Sequence, residues 1–431
     1  MILLKRAASV LPGAVLVLLT LVATESTALA IPAFARRYET SCTTCHVVPP
    51  KLNAFGVAFK NLGYRMPDDQ RFIKQGDVPM GAPAWKKLWP KAVWPGAIPD
   101  RIPLSVGTEM VADVAPSEPV KLNFAFPEEV ELLAGGTLGD RLSFFSELAF
   151  EFGDEVEVDL ERGHFNMQLS KDSLVNLRIG RMETGATPFS RFSQRLTDAD
   201  FITADFRPGG GAFRFRARQQ GLELWGARNG PNGGGLQYSL GLVNGTGTSP
   251  DENSNKDVYG SASYKFGGYG VTGPGGNVEA LTSSDNFIDN SVEIGGFFYK
   301  GWMGPAEDEK DSFNRTGFKV NAYFDRLNLF GAYVRSRDNL LGGAPARANA
   351  WFIEGDVVTL PWIVGILRYD QAKGDAAFLN VKRLVPAVSM MIRANVILSG
   401  EGNIYVGGEK NALLNGDVEH NGGLVRLAFY F

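Results

Sequence analysis

The chemistry of this chain is concentrated in one short run, Ser41-Cys-Thr-Thr-Cys-His46. It holds the only two cysteines among 431 residues and, directly behind them, one of three histidines. Cys-x-x-Cys-His is the spacing at which c-type haem is attached. Each thiol adds to a haem vinyl group as a thioether, and the imidazole of the next residue is held under the iron as proximal ligand. A zinc site would need further Cys or His ligands, and His164 and His420 stand far away without partner spacing. A thioredoxin-like pair would need a βαβ context, which the flanking sequence lacks. The run therefore reads as the attachment site of one covalent haem c, with Cys42 and Cys45 as tethers and His46 as proximal ligand.

The far side of such a haem has several candidates. Met66 follows closely and is the first choice, because a thioether opposite histidine raises the potential. Met80 and His164 are weaker candidates, and an open or water-occupied position also fits. Pro49 and Pro50 break the turn that carries the motif, and a short helix is predicted from about Lys51 to Leu62. Leu52, Phe55, Phe59 and Leu62 form its apolar face, and Gly63 is its C-terminal stop. A segment of residues 31–68 is too short to enclose a haem unaided, so the rest of the cover must come from elsewhere in the chain.

The elements that could supply it are strands. Residues 1–30 read as a signal peptide: Lys5 and Arg6 precede the apolar run Val10 to Val22, and Ala28 to Ala30 fit a small-residue cleavage pattern. Cleavage is expected after about Ala30. The net charge of −4 argues against nucleic acid and against a basic membrane-surface patch. No later stretch offers the ~18 apolar residues of a membrane helix, so membrane residence must come from strands. Residues 69–101 are rich in Pro and carry Trp85, Trp89 and Trp94; they read as a connector without regular elements, its tryptophans either interfacial anchors or packing for the haem segment.

From residue 102 to 431 period-two alternation dominates. Leu142, Phe144, Leu148, Phe150 and Phe152 face one way, Ser143, Glu147 and Glu151 the other. The chain closes on Val425, Leu427, Phe429 and Phe431. About 16 such strands are predicted, with tight turns such as Gly139-Asp140 and Asp325-Arg326 alternating with long polar loops such as 184–210 and 245–256. That is the pattern of a transmembrane outer-membrane β-barrel. The connection 267–289 is long where a turn is expected. The strand 211–228 changes phase near Gln219, and 384–398 is read as a single strand. The fold class is thus mainly β, with a small α-helical haem segment that folds up into the barrel and plugs its lumen. Polar residues are expected to face that lumen. Arg214, Arg216 and Arg218 would form a basic ladder there, near Arg178, Arg181, Arg191 and Arg195, serving either haem propionates or ordinary pore polarity. His164 shares its polar face with Asn166 and Gln168.

The stretch from Pro32 through Cys42 and His46, then Leu52-Asn-Ala-Phe-Gly56, Phe59-Lys60 and Gly63-Tyr64, resembles the fused outer-membrane monohaem cytochrome c–porins associated with ferrous-iron oxidation. The specific likeness covers roughly residues 31 to 66; the barrel agrees as architecture. The resemblance implies one haem c on Cys42, Cys45 and His46. It also implies electron flow from extracellular Fe(II) inward to a periplasmic cytochrome or other carrier. Two other functions stay open: a porin for small solutes with the haem as plug or gate, and outward electron transfer to an external acceptor.

Overall fold

In the computed structural model, the residues described are 33–66, 77–79, 87, 97–99, 103–116, 118–206, 213–215, 217–247, 251, 253–274, 285, 287–303, 311–339, 345–375, 380–408 and 421–431. The proposed leader, Met80 and Arg216 lie outside them, as does most of the connector. Ile31–Phe431 form one compact unit.

The alternating runs become the wall. Its first eight strands are β5 (Leu104–Val114), β6 (Leu122–Leu138), β7 (Leu142–Phe152), β8 (Val156–Gln168), β9 (Asn176–Met182), β10 (Gln219–Asn229), β11 (Gly234–Val243) and β12 (Asp257–Gly267). The second eight are β13 (Ser291–Met303), β14 (Asp311–Phe324), β15 (Leu327–Asn339), β16 (Ala346–Leu360), β17 (Ile363–Gly374), β18 (Asn380–Arg393), β19 (Val396–Gly408) and β20 (Gly422–Tyr430). Consecutive strands pair antiparallel, and β20 returns to β5, so the sheet closes without an edge.

Side-chain exposure is inverted relative to a soluble protein. Along β17, Leu367 is 55% exposed while Ile366, Arg368 and Asp370 are buried. Leu240, Ile294, Phe318 and Ile353 likewise point outward and are exposed. A continuous apolar outer face over a closed antiparallel wall is what lipid requires, so this is an outer-membrane barrel. Among the described residues no helix is long and apolar enough to cross a membrane; the strands cross it.

Short turns and long connections sort to opposite ends, apart from the long β12–β13 connection at the turn end and the short β7–β8 connection at the loop end. Gly139 and Asp325 take positive φ in two of the tight turns, and that end is periplasmic by the usual arrangement of such barrels. At the loop end the β7–β8 connection, Gly153 to Glu155, is the shortest.

Two inward-folded bodies fill the bore. One is the N-terminal segment: α1 (Ala33–Tyr38), a single turn at Cys42–Thr44, the hairpin β1 (His46–Val48) with β2 (Lys51–Leu52), and α2 (Ala54–Asn61). The other is the described part of the connection 183–218, residues 183–206, 213–215 and 217–218, with its one-turn α3 (Ile202–Asp205). Phe201 stacks on Phe352 at 4.5 Å and Phe189 meets Phe330 at 4.9 Å. Phe213 packs 4.4 Å from Tyr299 and 4.6 Å from Phe313. Arg368 and Arg383 each hold a backbone carbonyl of this connection, Ala199 and Asp200, at 2.7 Å.

Several expectations are corrected. The lumen is not simply polar, because the folded-in connection brings an aromatic core with it. β10 starts at Gln219, so Arg214 and Arg218 lie on the connection and form no wall ladder. The run 384–398 is broken at Ala394-Asn395 between β18 and β19. The connector does hold regular structure: β3 (Asp77–Pro79) pairs with β4 (Ala97–Pro99). Helix α2 begins at Ala54 rather than Lys51, since Lys51 and Leu52 are drawn into the β1–β2 hairpin. The described residues of the long 268–290 connection meet the N-terminal segment: Tyr269 lies 6.2 Å from Phe55, and Phe287 joins Val47 and Val48 in a buried cluster.

Candidate functional site

The motif is held in shape by its neighbours. Ser41 caps the turn at Cys42–Thr44, its Oγ accepting from Thr43 N at 3.4 Å. Asn53 does three things at once. Its Oδ1 accepts from Gly56 N at 2.8 Å as the N-cap of α2, its Nδ2 donates to Thr44 O at 3.1 Å, and its backbone N donates to Cys45 O at 3.0 Å. Helix α2 can lie this close because position 56 is glycine: a Cβ there would stand 2.1 Å from Cys45 O. Leu62 caps the other end, and Gly63 turns the chain away at φ +68°.

His46 Nδ1 donates to Pro50 O at 3.2 Å, which leaves the lone pair on Nε2. Burial lowers its pKa to about 4 against backbone hydrogen bonds at Pro50 and Lys51, so the imidazole is neutral at physiological pH. Burial pushes the Cys45 thiol up to about 12, with the nearby Cys42 adding to the effect, and Cys42 is raised by burial as well. Met66 is 4% exposed and packs with Tyr38, Phe55 and Phe59.

Cys42, Cys45, His46 and Met66 all line one cavity of about 1110 Å³, at the top of the ~300–1,000 Å³ range of small-molecule sites. Phe34, Phe59 and Tyr64 supply flat apolar walls beside them. Tyr64 stacks on Phe34 at 5.3 Å and on Phe145 at 5.8 Å. Two thiols, a neutral imidazole and a thioether around a partly apolar cavity form a donor set that fits a covalent haem. His164 lines no part of that cavity; its Nε2 lies 3.4 Å from the Tyr64 hydroxyl, behind the ring.

From the motif the cavity extends to the loop end of the barrel at Phe152, Asp154 and Glu155. Its wall there is acidic. In register, Glu109 on β5 faces Glu129 on β6, Glu129 faces Glu151 on β7, and Glu151 faces Glu157 on β8. All four line the cavity. Arg426 answers Glu109 at 3.4 Å; like charges directly opposite one another destabilise a sheet, so the rest of the row draws cations. Deeper in, the carboxylates of Glu131, Glu147 and Glu161 cluster within 4.8 Å. Arg162 pairs with Glu147, and Arg191 and Arg218 pair with Glu161, so this inner group is a salt-bridge network.

Of the arginines singled out from sequence, Arg191 and Arg195 line the cavity. Arg181 pairs with Asp159 at 2.8 Å and Arg214 with Asp205 at 3.2 Å, both away from it. Arg162 was missed; it lies 3.7 Å over the Phe192 ring and does line the cavity. The carboxylate row was missed too. Each glutamate is ordinary alone, and only strand register makes them neighbours; the run Pro127-Glu-Glu-Val-Glu131 was the available signal.

A second chamber of about 250 Å³ lies on the other side of α2, towards the periplasmic end at Val271, Asp289 and Ser291. Its lining shares Leu52, Lys60 and Ser193 with the first cavity.

No protein-family model and no curated protein matches the chain. The barrel is similar to solved outer-membrane porins. The anion-selective porin from Comamonas acidovorans aligns at TM-score 0.53 and 14% identity, over 77% of this chain and 99% of that one. Salmonella typhi OmpF, solved with daunomycin, gives TM-score 0.53 and 10% identity over 76% and 97%. The DcaP channel of Acinetobacter baumannii gives 0.50 and 11% over 76% and 96%. At such identities the likeness is one of fold: a 16-stranded porin barrel, into which this chain places an N-terminal segment.

Proposed function

We propose that this outer-membrane barrel is an electron-transfer protein carrying one haem c on Cys42 and Cys45. In this reading His46 is the proximal ligand, Met66 the distal one, Fe(II) outside the cell the donor, and a periplasmic carrier the acceptor. The chain then divides into a leader (1–30), a haem segment (31–68), a connector (69–101) and a barrel (102–431). The observation that carries the proposal is the shared cavity, with the haem-attachment residues at one end and the row Glu109, Glu129, Glu151 and Glu157 towards the extracellular rim.

Bound there, the haem would supply a one-electron site whose potential the thioether of Met66 raises. The protein does the rest. Cys42 and Cys45 tether, the Pro50 carbonyl fixes the tautomer of His46, and Asn53 and Gly56 hold the motif against α2. The carboxylate row concentrates a divalent cation in the cavity. Each Fe(II) loses one electron there and leaves as Fe(III) on the outer side, so the insoluble product stays outside the wall.

A second reading has its own support. The solved structures similar to the barrel are porins and a channel, and two chambers lie end to end through the lumen. On fold alone, a small-solute channel plugged by the N-terminal segment is the better-supported reading. The motif tips the balance, because a channel can be plugged without a covalent haem, whereas electron transfer across the wall needs one. Visible spectroscopy of the purified protein in detergent separates the two. A c-type band that appears promptly on anaerobic addition of Fe(II) supports electron transfer; a c-type protein that Fe(II) cannot reduce refutes the Fe(II) reading. A chain matured in the periplasm without bound haem leaves the channel.

A further inference from the structure

We infer that Lys60 is the cation barrier of this barrel, the residue that keeps cations collected in the outer cavity from passing on to the periplasmic chamber. The two chambers share Leu52, Lys60 and Ser193, so the way from one to the other runs past the Lys60 side chain. Its ammonium donates to Ser193 Oγ at 3.4 Å, which links the two inward-folded bodies, α2 and the 183–218 connection, across that passage.

The neighbouring charges leave this one in place. Arg178 is paired with Glu223 at 2.8 Å, and Arg162 with Glu147, so those cations and carboxylates cancel locally. Lys60 bonds to a neutral hydroxyl instead. Burial lowers its pKa to about 8, with Arg178 and Arg162 adding to the fall and Glu183 and Glu223 opposing it, so the side chain is still charged at neutral pH. An acidic chamber therefore ends at a fixed positive charge. An electron can leave such a chamber, whereas a divalent metal ion cannot without passing the ammonium. The inference holds whether or not a haem is bound, and so goes beyond the electron-transfer reading.

Planar-bilayer conductance of the full-length protein tests it, with K⁺ and Ca²⁺ as probes. Lys60→Ala and the unbranched, uncharged Lys60→Met are each expected to raise cation conductance about tenfold or more, the scale of one unit charge at close range near a protein surface. Lys60→Arg is expected to stay as closed as the unmodified protein. Heat-modifiable gel mobility and the β-sheet circular dichroism signal identify folded barrels, and Met replaces Ala if the Ala variant fails that check. The inference is overturned if folded Lys60→Met conducts no more than the parent, if Lys60→Arg leaks as Met does, or if the parent already passes Ca²⁺ freely. Haem content, read from the visible band, reports on the electron-transfer reading separately.

Discussion

Replacing Lys51 by methionine should unseat the N-terminal segment while leaving the barrel closed. Lys51 and Asp356 are 1% and 2% exposed, and the ammonium also donates to Asn328 Oδ1 at 2.6 Å. Burial opposes the charge on Lys51, but Asp356, Tyr323 and Glu354 together outweigh it and hold the pKa above the usual lysine range. Breaking a buried pair from one side costs about 3–5 kcal/mol, because the partner charge is left stranded. At about 1.4 kcal/mol per decade, that shifts the docking equilibrium by roughly two to four powers of ten. The barrel wall keeps its ladder hydrogen bonds, so the effect should be confined to the plug. Limited proteolysis in detergent reads it: cleavage within residues 33–66 should accelerate by about a hundredfold or more when opening precedes cleavage, with the barrel fragment unchanged. Lys51→Met with Asp356→Leu should recover most of the protection, since an apolar pair can replace a buried ion pair at little cost. If the single and double variants are cleaved at the parent rate, Lys51 is not what seats the segment.

Other outcomes are expected from the same geometry. Gly56→Ala would drive a methyl into Cys45 O; it should destabilise the segment by about 1–3 kcal/mol or more and lower the haem-to-barrel ratio in the visible spectrum. Asn53→Ala removes a cap and a carbonyl clamp, about 1–2 kcal/mol, read as faster proteolysis of residues 33–66. Glu129→Gln with Glu151→Gln should slow reduction by Fe(II) several-fold at low ionic strength, a difference that fades as salt screens the row; stopped-flow absorbance at two salt concentrations checks it. Lys60 has a folded-state pKa lowered to about 8 by burial, below the ~10.4 of a solvated lysine. Between those values the unfolded segment binds more protons, so docking should strengthen as pH rises from about 8 to 10. The gain should be missing in Lys60→Met, compared by proteolysis across that range.

The wall was legible because lipid and lumen impose opposite demands on alternate residues, so each strand announces itself locally. The run Cys42 to His46 stood out because the attachment chemistry proposed for it fixes both residue type and spacing. Loss of legibility began where position depends on partners distant in sequence. Ala394-Asn395 hides as a turn because alternation continues on both sides of it. Arg214, Arg216 and Arg218 have strand spacing, yet Phe213 and Phe215, which alternate with the first two, are pulled inward by Tyr299, Phe313 and Phe297. The carboxylate row exists only in the register of four strands, and Lys51 meets Asp356 across 305 positions of sequence.

That last separation bears on the order of events in time. The segment at residues 33–66 is seated by Asp356 on β16, Gln237 on β11, the β6–β7 turn carbonyl of Gly139 and the carbonyl of Leu142 at the start of β7. Such a socket is complete only when strands from the first and second halves of the wall stand together. Until then the N-terminal segment has nowhere to dock, and Cys42 and Cys45 stay open to modification in the periplasm. On the proposed reading, haem is joined to Cys42 and Cys45 before the segment docks, because docking buries the motif.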